Sequence, residues 1–492
     1  MDVSVYGKMI RTLPEDDDHP YRTGPWRPQS VEYNAEDLEV EGELPDDLYG
    51  VYLRNTENPL HPAIAKYHPF DGDGMIHMMS FREGRASYRN RFVRTAGLAA
   101  EQEAGRSLWA GIAENPQIST RPDGWGARGR MKDASSTDVV VHAGVALSSF
   151  WQCGDLYRLD PLTLDDLGAE TWGGQFPSDV GVSAHTQVDE HTGELLFFNY
   201  ATKAPYLNYG VVDASHRLVH YVPIELPGPR LPHDMAYTEN YAILNDLPLF
   251  WDPELLSRGL YASRFHPEMT TRLGVIPRRG RPEEIRWFDF EPTYVLHWTN
   301  AYEVGDEIVV EGFFQGCPEP TDPGPNGPPG RMFRFLAQDV MQTHLHRWRM
   351  NLVTGATHEE AITDTCSEFG TINNGYGGRP YRYTYAATNK PGWFLFNGLV
   401  KHDTATGHEE SYRFPDGVYC SEIGVAPRVG STAEDDAYLV TLTSDMNRDR
   451  SECVVFRAND VGAGPIARAA LPERIASGTH SCWAPGESVR GW

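Results

Sequence analysis

The chain predicts an all-β fold, read as a divergent β-propeller, on three observations. Its longest apolar runs are strand-sized, as in Leu195-Leu196-Phe197-Phe198 and Ala437-Tyr438-Leu439-Val440-Thr441-Leu442. Polar turns of similar composition recur between such runs at irregular spacing, without a WD or kelch signature. Four histidines, His185, His233, His297 and His480, stand in strand-like or sharply turned contexts 48, 64 and 183 residues apart. No local motif unites them, so a shared site needs a fold that returns the chain repeatedly to one centre. A pair of β-sandwiches is the alternative; the propeller is preferred because it gives distant segments a common axis.

An acidic, proline-containing arm comes first, Pro14-Glu15-Asp16-Asp17-Asp18-His19-Pro20. Turns follow at Asp160-Pro161-Leu162-Thr163-Leu164, Asp189-Glu190-His191-Thr192-Gly193, Asp213-Ala214-Ser215-His216-Arg217, Asn351-Leu352-Val353-Thr354-Gly355 and Asp403-Thr404-Ala405-Thr406-Gly407. Gly and Asn/Asp supply the positive φ that tight reversals require. Helix formers at suitable spacing predict helices at Gly97 to Ile112, Pro253 to Phe265 and Met332 to His346, which would cap one face of the β domain. Gly316 to Gly330, GCPEPTDPGPNGPPG, reads as an exposed loop.

At 492 residues the chain is long enough for two or three ordinary domains or one large repetitive β domain, and 40% hydrophobic residues suffice for a sizeable core. A net charge of −26, dispersed along the chain, repels nucleic acid and anionic head groups. No run approaches the ~20 apolar residues of a membrane-spanning helix. The start, Met1-Asp2-Val3-Ser4, lacks the basic and apolar regions of a signal peptide, which reads as a soluble, cytoplasmic protein. Six cysteines without a CxxC pair argue against zinc ribbons and disulfide scaffolds and read as reduced, mostly buried thiols.

The four histidines are candidate ligands because neutral imidazole suits iron, copper, nickel and zinc. Most of the 18 histidines of such a chain would be surface or hydrogen-bonded structural residues. His19, His61, His191, His216 and His358, in polar or proline-flanked turns, are set aside. Four neutral ligands leave the metal charge uncompensated, so carboxylates should accept the remaining imidazole N–H bonds. Glu368 in Cys366-Ser367-Glu368-Phe369 and Glu422 in Cys420-Ser421-Glu422-Ile423 share a setting where a buried charge would need a partner. Each could equally end a strand facing solvent.

Three longer blocks are more specific. Gly50 to Pro59 reads GVYLRNTENP, Tyr67 to His77 reads YHPFDGDGMIH, and Tyr88 to Thr95 reads YRNRFVRT. They resemble the "YLRNGPNP", "FDGDGMIH" and "YRNRxVRT" blocks of the carotenoid cleavage oxygenase family, which includes bacterial apocarotenoid oxygenases, lignostilbene dioxygenases and the vertebrate retinoid isomerohydrolase. Further resemblance runs through Leu156 to Leu164, Val275 to Phe288, Leu296 to Asn300 and His480, covering almost the whole chain.

The resemblance implies one domain over residues 1–492, with a short arm at about 1–30: a seven-bladed β-propeller under a helical and loop cap. It implies one Fe(II) on the axis, held by His185, His233, His297 and His480 and supported by Glu368 and Glu422. His77 is implied to be structural. At the third supporting position the family usually has Glu, in a block similar to "WEGG", whereas this chain reads Trp151-Gln152-Cys153-Gly154. Gln152 could still accept an imidazole N–H but brings no charge.

The implied activity is cleavage of a conjugated carbon–carbon double bond by dioxygen into two carbonyl products, with no protein nucleophile or general base. Phe70, Trp151, Trp298, Phe313, Phe314 and Phe369 are candidates for an apolar tunnel to the iron, though for any one of them ordinary core packing is the commoner role of a buried aromatic. Trp151 stands where lignostilbene-type members have a Lys, which favours an apocarotenoid-like polyene over a hydroxystilbene. Cap residues would collect such a lipophile by hydrophobic contact with a membrane; no obligate protein partner is implied. A non-oxidative isomerase or hydrolase and a lipophile-binding propeller are the alternatives.

Overall fold

A computed structural model describes residues 1–121, 129–177, 179–258, 263–319, 338–489 and 491–492. Their regular structure is mostly β-strand, organised as antiparallel meanders. One sheet runs in chain order through Asp138–His142, Val145–Ser149, Tyr157–Leu159 and Asp166–Ala169. The next is Gln187–Asp189, Glu194–Tyr200, Tyr206–Val212 and Leu218–Glu225, and the third Ala236–Tyr237, Tyr241–Asp246, Thr271–Pro277 and Arg286–Phe290. A longer run begins with Val295–Val304, Glu307–Gln315 and Thr343–Asn351 and continues through Thr357–Thr371 into Tyr383–Asn389 and Phe396–Asp403. It ends with Ala437–Asp445, Arg450–Arg457 and Ala467–Ala470 paired to Val40–Gly42.

A last sheet joins distant parts of the chain. Ser481–Pro485 pairs with Gly50–Arg54, which pairs with Asp73–Arg82 and, through it, Arg85–Phe92. The acidic arm is preceded by a strand, Asp2–Lys8, on the outer edge of this sheet against Val31–Glu36.

The recurring turns share one geometry. In Asp189–Gly193, Asn351–Gly355 and Asp403–Gly407 the closing glycine has φ of 68°, 76° and 71°. Its N–H donates to the carbonyl of the opening residue at 2.8, 2.9 and 2.8 Å. The opening side chain organises the interior, as Asn351 Oδ1 accepts from Val353 N at 3.0 Å and Thr354 N at 2.8 Å. At Asp160 the same role falls to Leu164, a leucine at φ 58°.

Apolar faces of successive sheets pack together. Leu196, Phe198, Tyr209, Leu244, Val275, Val310 and Trp348 belong to one continuous cluster spanning three sheets, and Phe369, Tyr385, Phe396, Leu439 and Phe456 to a second. Each such side chain contributes about 1.5–3 kcal/mol by leaving water. Cys153, Cys420 and Cys453 are buried, and none of the six cysteines forms a disulfide.

The helices are shorter than the sequence predicts. Gly97 to Ile112 becomes Ala96–Ala104, started by the Thr95 hydroxyl accepting from Leu98 N at 2.9 Å and stopped by Gly105 at φ 64°. Of Pro253 to Phe265, Pro253–Ser257 is helical and Ser263–Phe265 is a strand, with 259–262 outside the described residues. Residues 332–337 of the third expected helix also lie outside them. Gln338–Met341 is a single turn, and Thr343–Asn351 is a strand because Leu345 faces one way while His346, Trp348 and Met350 alternate onto the other, a period of two that outweighs helix propensity. Of the Gly316 to Gly330 loop, only the first residues are described.

Candidate metal centre

The sheets bring the four histidines together. His185 and His233 lie just before the first strands of their meanders, His297 lies near the start of Val295–Val304, and His480 directly precedes Ser481–Pro485. All four are buried, and one nitrogen from each falls within a group whose members lie within 4.8 Å of one another. Small residues allow this approach. A Cβ on Gly312 would stand 2.9 Å from the His297 carbonyl oxygen, and one on Gly478 would stand 2.5 Å from Thr56 Oγ1.

Three of the rings are held by carboxylates at Nδ1, with the N–H donating. His297 Nδ1 is 2.6 Å from Glu368 Oε2, His185 Nδ1 is 3.0 Å from Asp138 Oδ2, and His480 Nδ1 is 3.3 Å from Glu422 Oε1. This fixes the tautomer and turns each Nε2 inward. His185 Nε2 and His233 Nε2 face each other at 3.1 Å, and His297 Nε2 is buried without a hydrogen-bond partner. Inward lone pairs on uncharged nitrogens, backed by outward carboxylates, fit a divalent transition-metal ion.

The electrostatics of two of the rings agree with this assignment. Burial, reinforced by the neighbouring imidazoles, holds His233 and His480 well below the usual imidazole range, so both are neutral, the ligating form. Burial also pulls on His185, but its bond to Asp138 and the nearby Asp234 and Glu368 carboxylates outweigh it and raise that ring. Glu422 is pushed well above the ordinary carboxylate range by burial and by the charges of Asp138 and Glu368.

The local chain explains the placements. Glu368 and Phe369 sit where the pairing of Thr357–Thr371 with its neighbour slips, and Phe369 adopts φ 57°. Such a bulge re-aims side chains and stores strain at the site. It points Glu368 at His297 and lays the Phe369 ring 4.9 Å from that of His297 and 4.7 Å from that of His480. Asp234 ties the His233 segment to the His297 strand, accepting from Met235 N at 2.7 Å and Trp298 N at 2.8 Å. In the GVYLRNTENP block, Asn55 N donates to the His480 carbonyl at 2.9 Å and Asn55 Nδ2 to the Asp138 carbonyl at 3.1 Å. The block thus braces the centre without supplying a ligand. His77 is buried and its Nδ1 pairs with the Tyr88 hydroxyl at 2.8 Å, away from the cluster.

Two expectations change. Gln152 is buried beside Trp151 but is hydrogen-bonded to none of the four imidazoles; the third carboxylate comes from Asp138, at the head of its strand, and serves His185. His233 has no carboxylate within ion-pair distance among the described residues, and its ring lies 6.0 Å from that of Trp151. The tunnel candidates also divide. Phe70, Trp151 and Phe369 line a cavity of about 30 Å³ with His233, His297 and His480, together with Phe394, Glu57, Thr137, Leu296 and Thr479. Trp298 lines a different space, a channel of about 780 Å³ that reaches His185, His297 and His480 from another side. Phe313 is packed in a separate core against Leu345, Ala386 and Val400, and Phe314, on the opposite face of the same strand, stacks on His346, so neither lines the cavity with the histidines.

Asp138, Asp234, Glu57 and Phe394 were not singled out from sequence. Asp138 opens a Val139-Val140-Val141 run, where a buried acid needs a partner, and Glu57 occupies the position of Pro in the "YLRNGPNP" block; both were readable signals.

The chain matches the family model described as retinal pigment epithelial membrane protein over residues 26–485. It is 30% identical to carotenoid 9,10(9',10')-cleavage dioxygenase 1 of Phaseolus vulgaris over 96% of this chain and 90% of that protein. It is 29% identical to isoeugenol monooxygenase of Pseudomonas nitroreducens, over 95% of this chain and 98% of the relative. The crystal structure of the Pseudomonas brassicacearum lignostilbene dioxygenase superposes with a TM-score of 0.85 at 28% identity, covering 96% of this chain and all (100%) of that one.

Proposed function

Because the chain belongs to the retinal pigment epithelial membrane protein family, that of the carotenoid cleavage oxygenases, we propose that it is an oxidoreductase that cleaves a carbon–carbon double bond of an apolar conjugated alkene with dioxygen, giving two carbonyl products. The observation that carries this reading is the buried group of four imidazoles, three of them fastened to carboxylates. His185, His233, His297 and His480 hold one Fe(II) per chain. Asp138, Glu368 and Glu422 orient three of these ligands and balance the charge of the ion. When bound, ferrous iron supplies activation of dioxygen toward the alkene.

The protein supplies position and dryness. Phe70, Trp151, Phe369 and Phe394 form an apolar wall over His233, His297 and His480 that holds the alkene and excludes water. No side chain has to act as nucleophile, which fits a wall of aromatic rings. A carotenoid or apocarotenoid is the first substrate class. A second, a stilbene or phenylpropenoid alkene, is favoured by the tightness of the cavity.

The same reading takes residues 1–492 as one seven-bladed propeller with a short arm, supported by the succession of antiparallel meanders around the histidines. It places the enzyme in the cytoplasm, in hydrophobic contact with membranes when it collects its substrate; no helix among the described residues is long and apolar enough to cross one. The test is oxygen consumption by iron-loaded protein offered an apocarotenal and a stilbene, with product masses measured. Uptake that depends on iron and yields paired carbonyl fragments is expected. Turnover without oxygen uptake would assign the isomerase or hydrolase alternative.

A further inference from the structure

Glu57 is the one buried acid facing the small cavity that the roles above leave unused. It is 3% exposed and lines the cavity with His233, His297 and His480. Its carboxyl is poorly satisfied. Oε2 is buried without a hydrogen-bond partner, and Oε1 accepts from Thr479 Oγ1 at 3.2 Å. That same hydroxyl lies 3.1 Å from the Thr137 carbonyl, so its single proton serves one acceptor at a time. Arg54 acts on it only through space, because the hydrogen bonds of its Nη2 go to the Ala476 carbonyl at 2.9 Å and Thr56 Oγ1 at 2.7 Å.

A carboxyl buried in this way is costly, because each unmet hydrogen bond gives up solvation that nothing replaces. Structure does not require it, since the "YLRNGPNP" block to which this segment is similar has Pro in its place. What remains is a polar point in an aromatic wall, the arrangement by which apolar sites fix a ligand's orientation.

We propose that Glu57 forms a hydroxyl-recognising subsite beside the metal, selecting alkenes that carry a hydroxyl group, such as alkenyl phenols, over hydrocarbons and ethers of the same shape. A hydroxyl both donates and accepts, so it pairs with the free Oε2 whichever protonation state the acid holds. The inference rests on the alkene-cleaving reading and narrows its substrate class.

The test uses ferrous holoenzyme without oxygen, titrated with 4-propenylphenol and with its methyl ether, alongside Glu57→Gln and Glu57→Leu. The phenol should bind at least about tenfold more tightly to the unaltered protein. Glu57→Leu should erase the preference by weakening the phenol alone, and Glu57→Gln, which keeps an acceptor and the side-chain shape, should keep part of it. Iron content and melting temperature should match the parent in both variants. Equal binding of phenol and ether by the parent would overturn the subsite, and so would iron loss in both variants, which would make Glu57 a brace for Thr479 and His480. Admitting oxygen tests the underlying reading separately. A retained binding preference without oxygen uptake on any alkene would remove the cleavage activity and leave the subsite standing.

Discussion

Glu368 Oε2 stands 2.6 Å from His297 Nδ1 and accepts from the Phe369 N–H at 2.7 Å. One carboxylate oxygen therefore sets the tautomer of a ligand and the position of an aromatic ring over the same site. Glu368→Gln should lower Fe(II) affinity about 10–100-fold, measured by competition with a chelator. Unchanged affinity would show that the charge of Glu368 does not reach the metal.

Asp138 and Gln152 make a sharper pair. Asp138→Asn should reduce iron affinity by a similar ~10–100-fold because the His185 N–H loses its charged acceptor. Gln152→Glu should leave iron retention within about twofold, since the carboxylates that hold His185, His297 and His480 come from Asp138, Glu368 and Glu422. A large gain from Gln152→Glu would restore position 152 to the metal's support and reverse the assignment.

Metal binding should be visible as stability. Ions that bind only the folded chain add about 2.7 kcal/mol at a hundred times their dissociation constant, so Fe(II) should raise the melting temperature and chelation should return it. His297→Ala should abolish most of that shift together with turnover. A variant that melts and turns over like the parent would remove His297 from the ligand set.

Away from the metal, Lys132 is buried between Asp73 Oδ1 and Glu101 Oε2, both at 2.9 Å, and ties the Ala96–Ala104 helix to the Asp73–Arg82 strand. These carboxylates hold the ammonium well above its ordinary range despite burial. Lys132→Met would strand two buried acids and should cost about 3–5 kcal/mol at neutral pH by denaturant titration. Burial already raises Asp73 despite Lys132. A carboxyl raised by folding takes up protons more readily in the folded state, so the variant should regain stability as pH falls and lose it as pH rises. A deficit independent of pH would point to packing alone.

Much of the β architecture was legible because its signals are local: strand-length apolar runs, and turns whose Asp or Asn and closing Gly carry their own hydrogen bonds. The helices were overread where propensity competed with a period-two pattern, as at Thr343–Asn351. In the centre, the histidines and Glu368 stood out by context and resemblance. Asp138 did not, because its partner His185 lies 47 residues away and only the packing of adjacent sheets brings them within 3.0 Å. Phe313 and Phe314 were misdirected by a run of aromatics in which alternation, rather than composition, decides which ring faces the site.

The pairing of Ser481–Pro485 with Gly50–Arg54 bears on how the protein matures. His480 is seated by a strand that pairs with a segment far earlier in the chain, and Asn55, one residue beyond that partner strand, grips its carbonyl. A chain in which that pairing is broken keeps at most three of the four clustered imidazoles in place and has no clasp to hold the fourth. The group of four imidazoles is therefore complete only when this long-range strand pairing has formed.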